Sequence, residues 1–135
     1  MTRLLVFLCV VTATIAVLQS PAEAHHGWSS YRTDVEMAVT VTELKLGNPH
    51  DRLLVTDAEG TEWQLLLAPP ARNRRFGFTE DTLSVGDVVD IFGQRHSSRR
   101  EIKVHCIFVE GEAVYTYRYN SGTSSLKRRG RDELC

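Results

Sequence analysis

The chain has 135 residues, 16 Lys+Arg against 17 Asp+Glu, and a net charge of −1. Its length suggests one domain. The near-neutral balance argues against a dedicated nucleic-acid binder.

Residues 1–24 read as a secretory signal peptide. Arg3 supplies the positive start, Leu4 to Leu18 form an apolar run, and Pro21 breaks it before Ala22-Glu23-Ala24. The apolar run is shorter than the ~20 residues needed to cross a bilayer. Cleavage is expected between Ala24 and His25, giving a periplasmic or secreted bacterial protein whose mature form has no transmembrane segment. The mature chain would start His25-His26.

His25 to Asp34 is expected to be an arm anchored by Trp28 and Tyr31. The domain proper is expected over residues 35–119. Val35, Met37, Val39 and Val41 alternate with polar or small residues, which is the period of a strand with one buried face. The parity then shifts to Leu44 and Leu46, so a bulge near Thr42-Glu43 is expected. Gly47-Asn48-Pro49 is a turn. His50 to Asp57 is a second strand with Leu53 and Val55 inward. Asp57 to Gly60 turns the chain into a third strand, Thr61 to Ala68, with Trp63, Leu65 and Leu67 on one face. Pro70 to Phe76 can form a short helix with proline at its start and Gly77 at its end.

Val88 to Arg95 is the next strand and His96 to Arg100 a loop. Glu101 to Glu110 alternates strictly, which places Ile102, Val104, Cys106 and Phe108 inward and Lys103, His105, Ile107 and Val109 outward. A last strand runs from Val114 to Tyr119. Residues 120–135 are rich in Ser, Gly and Arg and are expected to be a disordered basic tail. Lys127, Arg128, Arg129 and Arg131 would be solvated there or touch an anionic membrane. Cys106 and Cys135 could pair, but a buried thiol and a tail thiol are the preferred expectation.

Three strands, a short helix, then two or three strands is the order of an OB-fold. The fold expected is all-β with one short helix, an OB-fold-like small barrel of five or six strands; two packed sheets are the fallback. Arg52, Leu54, Glu62, Gln64 and Leu66 would occupy the face where such barrels stack bases, and none is aromatic. No nucleic-acid partner is expected.

After cleavage His25 offers an α-amine and an imidazole, both with reference pKa values near or below ~8. Amine and imidazole nitrogens together favour Cu(II) over Ni(II) and Zn(II). The metal ligands proposed from sequence are His25, His26 and His50, the last because Pro49 stiffens its turn. His96 and His105 read as solvated. No catalytic motif surrounds Ser29 or Ser30, and no phosphate loop, Cys-x-x-Cys or His-Glu-x-x-His is present. The expectation is a non-enzymatic binding protein, with copper as the only cofactor suggested. The alternative without metal is a structural module of the cell envelope that binds a small ligand, a glycan or a protein. An oxidative copper enzyme is a third.

Ala24-His25-His26-Gly27-Trp28-Ser29, Gly47-Asn48-Pro49-His50, Pro69-Pro70-Ala71-Arg72 with Phe76-Gly77, and Val85-Gly86-Asp87-Val88-Val89 together resemble a family of small exported bacterial proteins of unknown function. That family has a mature His-His N-terminus and an Asn-Pro-His turn. The resemblance covers about His25 to Glu110 and implies a periplasmic protein with no established activity. The histidine start also looks like that of periplasmic copper carriers and of lytic polysaccharide monooxygenases, which is a shared local device on different folds.

Overall fold

The computed structural model describes residues 27–131 and 134–135. The expected leader, its cleavage site and His25-His26 lie outside the described residues.

Six strands and one helix follow in order: β1 (Tyr31–Lys45), β2 (Arg52–Thr56), β3 (Glu62–Leu66), α1 (Pro70–Arg75), β4 (Val88–His96), β5 (Glu101–Val109) and β6 (Glu112–Thr116). The sheet order is β3-β2-β1-β4-β5-β6, and β3 also pairs with β5 in parallel. Five strands therefore close a ring of hydrogen bonds, giving the barrel-like, OB-like fold expected.

The ring depends on β1 serving two neighbours. Tyr31 to Thr40 pair with β4, and Thr40 to Lys45 pair with β2. The register shifts between Val41 and Glu43, where the bulge was expected. That extra residue bends the strand from one neighbour to the other. Inside the ring Val39, Val41, Leu53, Val55, Leu65, Leu67, Val89 and Ile91 are buried with Ile102, Val104 and Ile107 of β5. α1 starts on Pro70 and closes one end by burying Pro70 and Asn73.

Strict alternation fails in β5. Phe92 pairs with Cys106 and Gly93 with Val104, so His105 is an extra residue in the strand. Ile102 and Val104 point inward before it, and Ile107 points inward after it. Cys106 and Phe108, expected inward, instead join Phe92 and Leu126 in a second apolar cluster outside the main core. Ile107, expected outward, is core.

The second cluster needs a cover, and the C-terminal segment supplies it. The expected disordered tail is a folded strap. Ser125 N–H donates to the Tyr117 carbonyl at 2.8 Å, Arg118 bridges to Ser124, and Ser124, Ser125 and Leu126 are buried. Cys135 is disulfide-bonded to Cys106, which overturns the expectation of two thiols. The expected ten-residue arm is also shorter, because β1 already begins at Tyr31.

Beside this bulge the β4 and β5 backbones approach too closely for a side chain. A Cβ on Gly93 would lie 2.6 Å from the Lys103 carbonyl oxygen and 2.8 Å from Ile102 Cγ2. Gly93→Ala is expected to destabilise the fold by about 1–3 kcal/mol through overpacking. Urea denaturation measures this, and an unchanged midpoint would show that the strands can part there.

Candidate functional site

The turn before β2 is held from several sides. The Asn48–Pro49 peptide bond is cis. Buried Asp51 accepts from Gly47 N–H at 2.8 Å and, through its other oxygen, from Asn73 Nδ2 of α1 at 2.7 Å. Its main chain bonds the chain beyond β3, with Leu67 N–H donating to Asp51 O at 2.9 Å.

This frame sets the orientation of His50. Its Nδ1 lies 2.8 Å from the Leu67 carbonyl oxygen. A carbonyl can only accept, so Nδ1 carries the proton and the lone pair sits on Nε2. Such a bond from the remote ring nitrogen commonly orients a metal-binding imidazole. Half-buried His50 has a lowered pKa. Burial is the main cause, and the charges of Lys103, Arg52 and Arg72 add to it against the Leu67 bond. The ring is therefore neutral at pH 7.

The N-terminal arm is clamped separately. Lys103, 4% exposed, donates to the Gly27 carbonyl at 2.8 Å. Its ammonium lies 4.8 Å from the Trp28 ring, 5.4 Å from Tyr117 and 5.7 Å from Tyr31. Burial, then Arg72, pulls its pKa down to about 8 against the opposing pull of Glu101. Trp28 in turn stacks on His105, with ring centroids 4.2 Å apart and planes within 6°.

His105 and His96 do not stand in solvent as expected. His105 is 1% exposed, stacked between Trp28 and Phe92, and shares a 2.5 Å hydrogen bond with the Ser125 hydroxyl. Burial, then Arg129, pulls its pKa down to about 4. Ser125 and His105 have the chemistry of a nucleophile and a base, but both are sealed from substrate. Buried His96 uses Nδ1 to accept the N–H groups of Ser98 and Arg99 at 3.1 and 3.2 Å, which shapes the β4–β5 turn. Of the described histidines His50 is partly exposed, whereas His96 and His105 are buried. No group of three or more His, Cys, Asp or Glu suited to a metal ion occurs among the described residues. His25 and His26 are not among them.

One polar node was not anticipated from sequence. Buried Glu101 accepts from the Tyr31 hydroxyl, from Gln64 Nε2 at 2.6 Å and from Arg99 Nη2 at 3.0 Å. Burial raises the Glu101 pKa, but the hydrogen bonds of Tyr31 and Arg99 outweigh it and the net shift is downward. Tyr31, buried beside this carboxylate, is pushed up to about 12. The node ties the start of β1 to β3 and β5, so the clamped arm leaves a fixed strand end. Glu101 and the neighbouring Arg99 are visible in the sequence; their partners Tyr31 and Gln64 are distant in it.

Fold and site together define a small barrel-like β domain that carries an ordered N-terminal arm on its outer wall. The chain belongs to DUF6152, a family of unknown function, matched over residues 13–103. That span runs from within the expected leader to the first residues of β5. No curated protein matches the chain. No helix among the described residues is long and apolar enough to cross a membrane.

The buried neutral His105 has a pH consequence. Its folded-state pKa of about 4 lies below the ordinary 6.5. The unfolded state therefore takes up the proton first, and stability falls as pH drops from 6.5 to 4. The loss expected from this residue is about 3 kcal/mol. Urea denaturation at pH 7, 5.5 and 4 should show that loss, and His105→Gln should flatten it. Parallel pH profiles would contradict the assignment.

Proposed function

We propose that the mature protein is an exported, periplasmic, non-enzymatic binding protein that holds Cu(II) or a similar nitrogen-preferring ion. The ligands are the α-amine and imidazole of His25, with His50 Nε2 and His26 completing the set. The observation that carries this reading is the orientation of His50, whose Nδ1–H is held by Leu67 while Nε2 is left as the ligand atom.

The arm supports it. Only two residues separate a start at His25 from the clamped Gly27, and each spans at most ~3.3–3.6 Å. Gly27 is held by Lys103, whose charge is felt at His50. The clamp limits how far a new N-terminus at His25 can stray from Gly27. The charges acting on His50 are those of Lys103, Arg52 and Arg72. Ca(II) and Mg(II), which need oxygen ligands, find no carboxylate cage there. Neutral nitrogen donors suit Cu(II) best.

A second reading rests on the same clamp. Lys103 and Trp28 hold the arm without any metal, so the arm can be a packing strap on a barrel that binds a small ligand, a glycan or an envelope protein. Titration of Cu(II) into correctly processed protein, into a form with one extra N-terminal Gly, and into His50→Ala separates the two. The metal reading expects both altered forms to lose affinity, by at least the about 10–100-fold that loss of an outer-shell partner costs. Equal affinity for all three would remove the site and leave the strap.

A further inference from the structure

The basic residues of α1 and of the C-terminal strap are far apart in sequence but meet on one turn, Tyr117 to Gly122. Arg72 Nε donates to Asn120 Oδ1 at 3.1 Å, and Arg75 Nη1 donates to the Asn120 carbonyl at 3.2 Å. Arg118 Nη1 donates to the Gly122 carbonyl at 2.9 Å. From the strap, the Arg128 guanidinium lies 3.7 Å from the Tyr119 ring centroid, and that of Arg129 lies 5.2 Å from the Trp28 ring.

These five arginines are oriented but not neutralised. Among the described residues the ion pairs are Lys45–Glu43, Arg99–Glu101 and Arg131–Asp34. The five instead bond neutral carbonyls, an amide and aromatic faces. Asp132 and Glu133 lie outside the described residues. In a chain of net charge −1 this concentrates positive charge on one side. The indentation lined by Arg72 and Arg118 holds no more than water, so an enclosed ligand does not fit. Arg75, Arg128 and Arg129 are exposed.

We propose that this face docks on an anionic phospholipid surface. A broad array of held guanidinium groups, without a pocket, matches a plane of phosphate headgroups by charge, and guanidinium bonds phosphate in a bidentate fashion. The folded strap changes the meaning of its basic residues, because a disulfide-tied turn presents them together with α1. The proposal does not depend on metal binding.

Sedimentation of the native oxidised protein with vesicles tests it. Phosphatidylglycerol–phosphatidylcholine vesicles should pull the protein down at about 0.05 M salt and release it at about 0.5 M, where charge is screened within a few ångströms. Pure phosphatidylcholine vesicles should not bind. Arg75→Gln and Arg128→Gln should each weaken partition about fivefold, the equivalent of ~1 kcal/mol per charge near the surface. Lys45→Gln, on β1, should not. Inorganic phosphate at matched ionic strength should displace no more protein than chloride does. Equal sedimentation with both vesicle types, an equal loss in Lys45→Gln, or selective displacement by phosphate, which would mark a free-phosphate site, would each overturn the proposal.

Discussion

The extra residue at His105 turns two consecutive side chains of β5, His105 and Cys106, away from the barrel interior. Without it the strand would alternate to its end, and Cys106 and Phe108 would fill the core. With it the outer wall of β4 and β5 becomes apolar and must be covered. Trp28 covers His105 from the N-terminal side. Leu126, Ser125 and the Cys106–Cys135 disulfide cover the rest from the C-terminal side. A bulge that re-aims side chains is a common device beside functional sites. Here one extra residue gathers Trp28 and the C-terminal strap onto a single wall. The disulfide suits this task, since the strap has little apolar surface of its own and cross-linking reduces the entropy of its unfolded state.

Lys103 sits two residues before that bulge and joins the wall to the arm. A buried ammonium is costly without partners. Lys103 is compensated by one backbone carbonyl and three aromatic faces. Desolvated cation–π contacts contribute up to ~2 kcal/mol each. The depressed pKa of Lys103 shows that the compensation is partial. The gain is positional: an arm that could leave the domain at any angle is fixed at Gly27. The Glu101 node with Tyr31, Gln64 and Arg99 fixes the strand that follows. The turn that carries His50 is fixed separately, by Asp51, Asn73 and Leu67. The arm and the His50 turn thus each have a rigid support of their own, and rigid supports are what a shared ligand would need.

Much of the barrel was legible in the sequence because its interior obeys simple periodicity. Val39 and Val41, Leu53 and Val55, and Leu65 and Leu67 are buried as their alternation requires, and the parity change after Val41 marked the first bulge. Pro70 marked the helix start. The second bulge was hidden because Cys106, Ile107 and Phe108 are all apolar in a strand buried on both faces, where alternation carries no information. The strap was hidden because its order rests on one leucine, a serine-to-histidine bond, a disulfide and backbone bonds to Tyr117 and Arg118, too few apolar residues to stand out in a Ser-, Gly- and Arg-rich stretch. His50 could be chosen on its turn, but the bond that selects its tautomer joins it to Leu67, a contact made only when β2 and β3 pair.

If the proposed metal site is right, His50, and neither His96 nor His105, supplies a ligand nitrogen beside the mature N-terminus. Long-range proton–nitrogen correlation spectra of the processed protein, histidine-labelled and given substoichiometric Cu(II), test it directly. His50 should then hold its proton on Nδ1 and lose its ring signals first to paramagnetic broadening, with those of His96 and His105 retained. Persistence of the His50 signals, or equal broadening of all three rings, would contradict it.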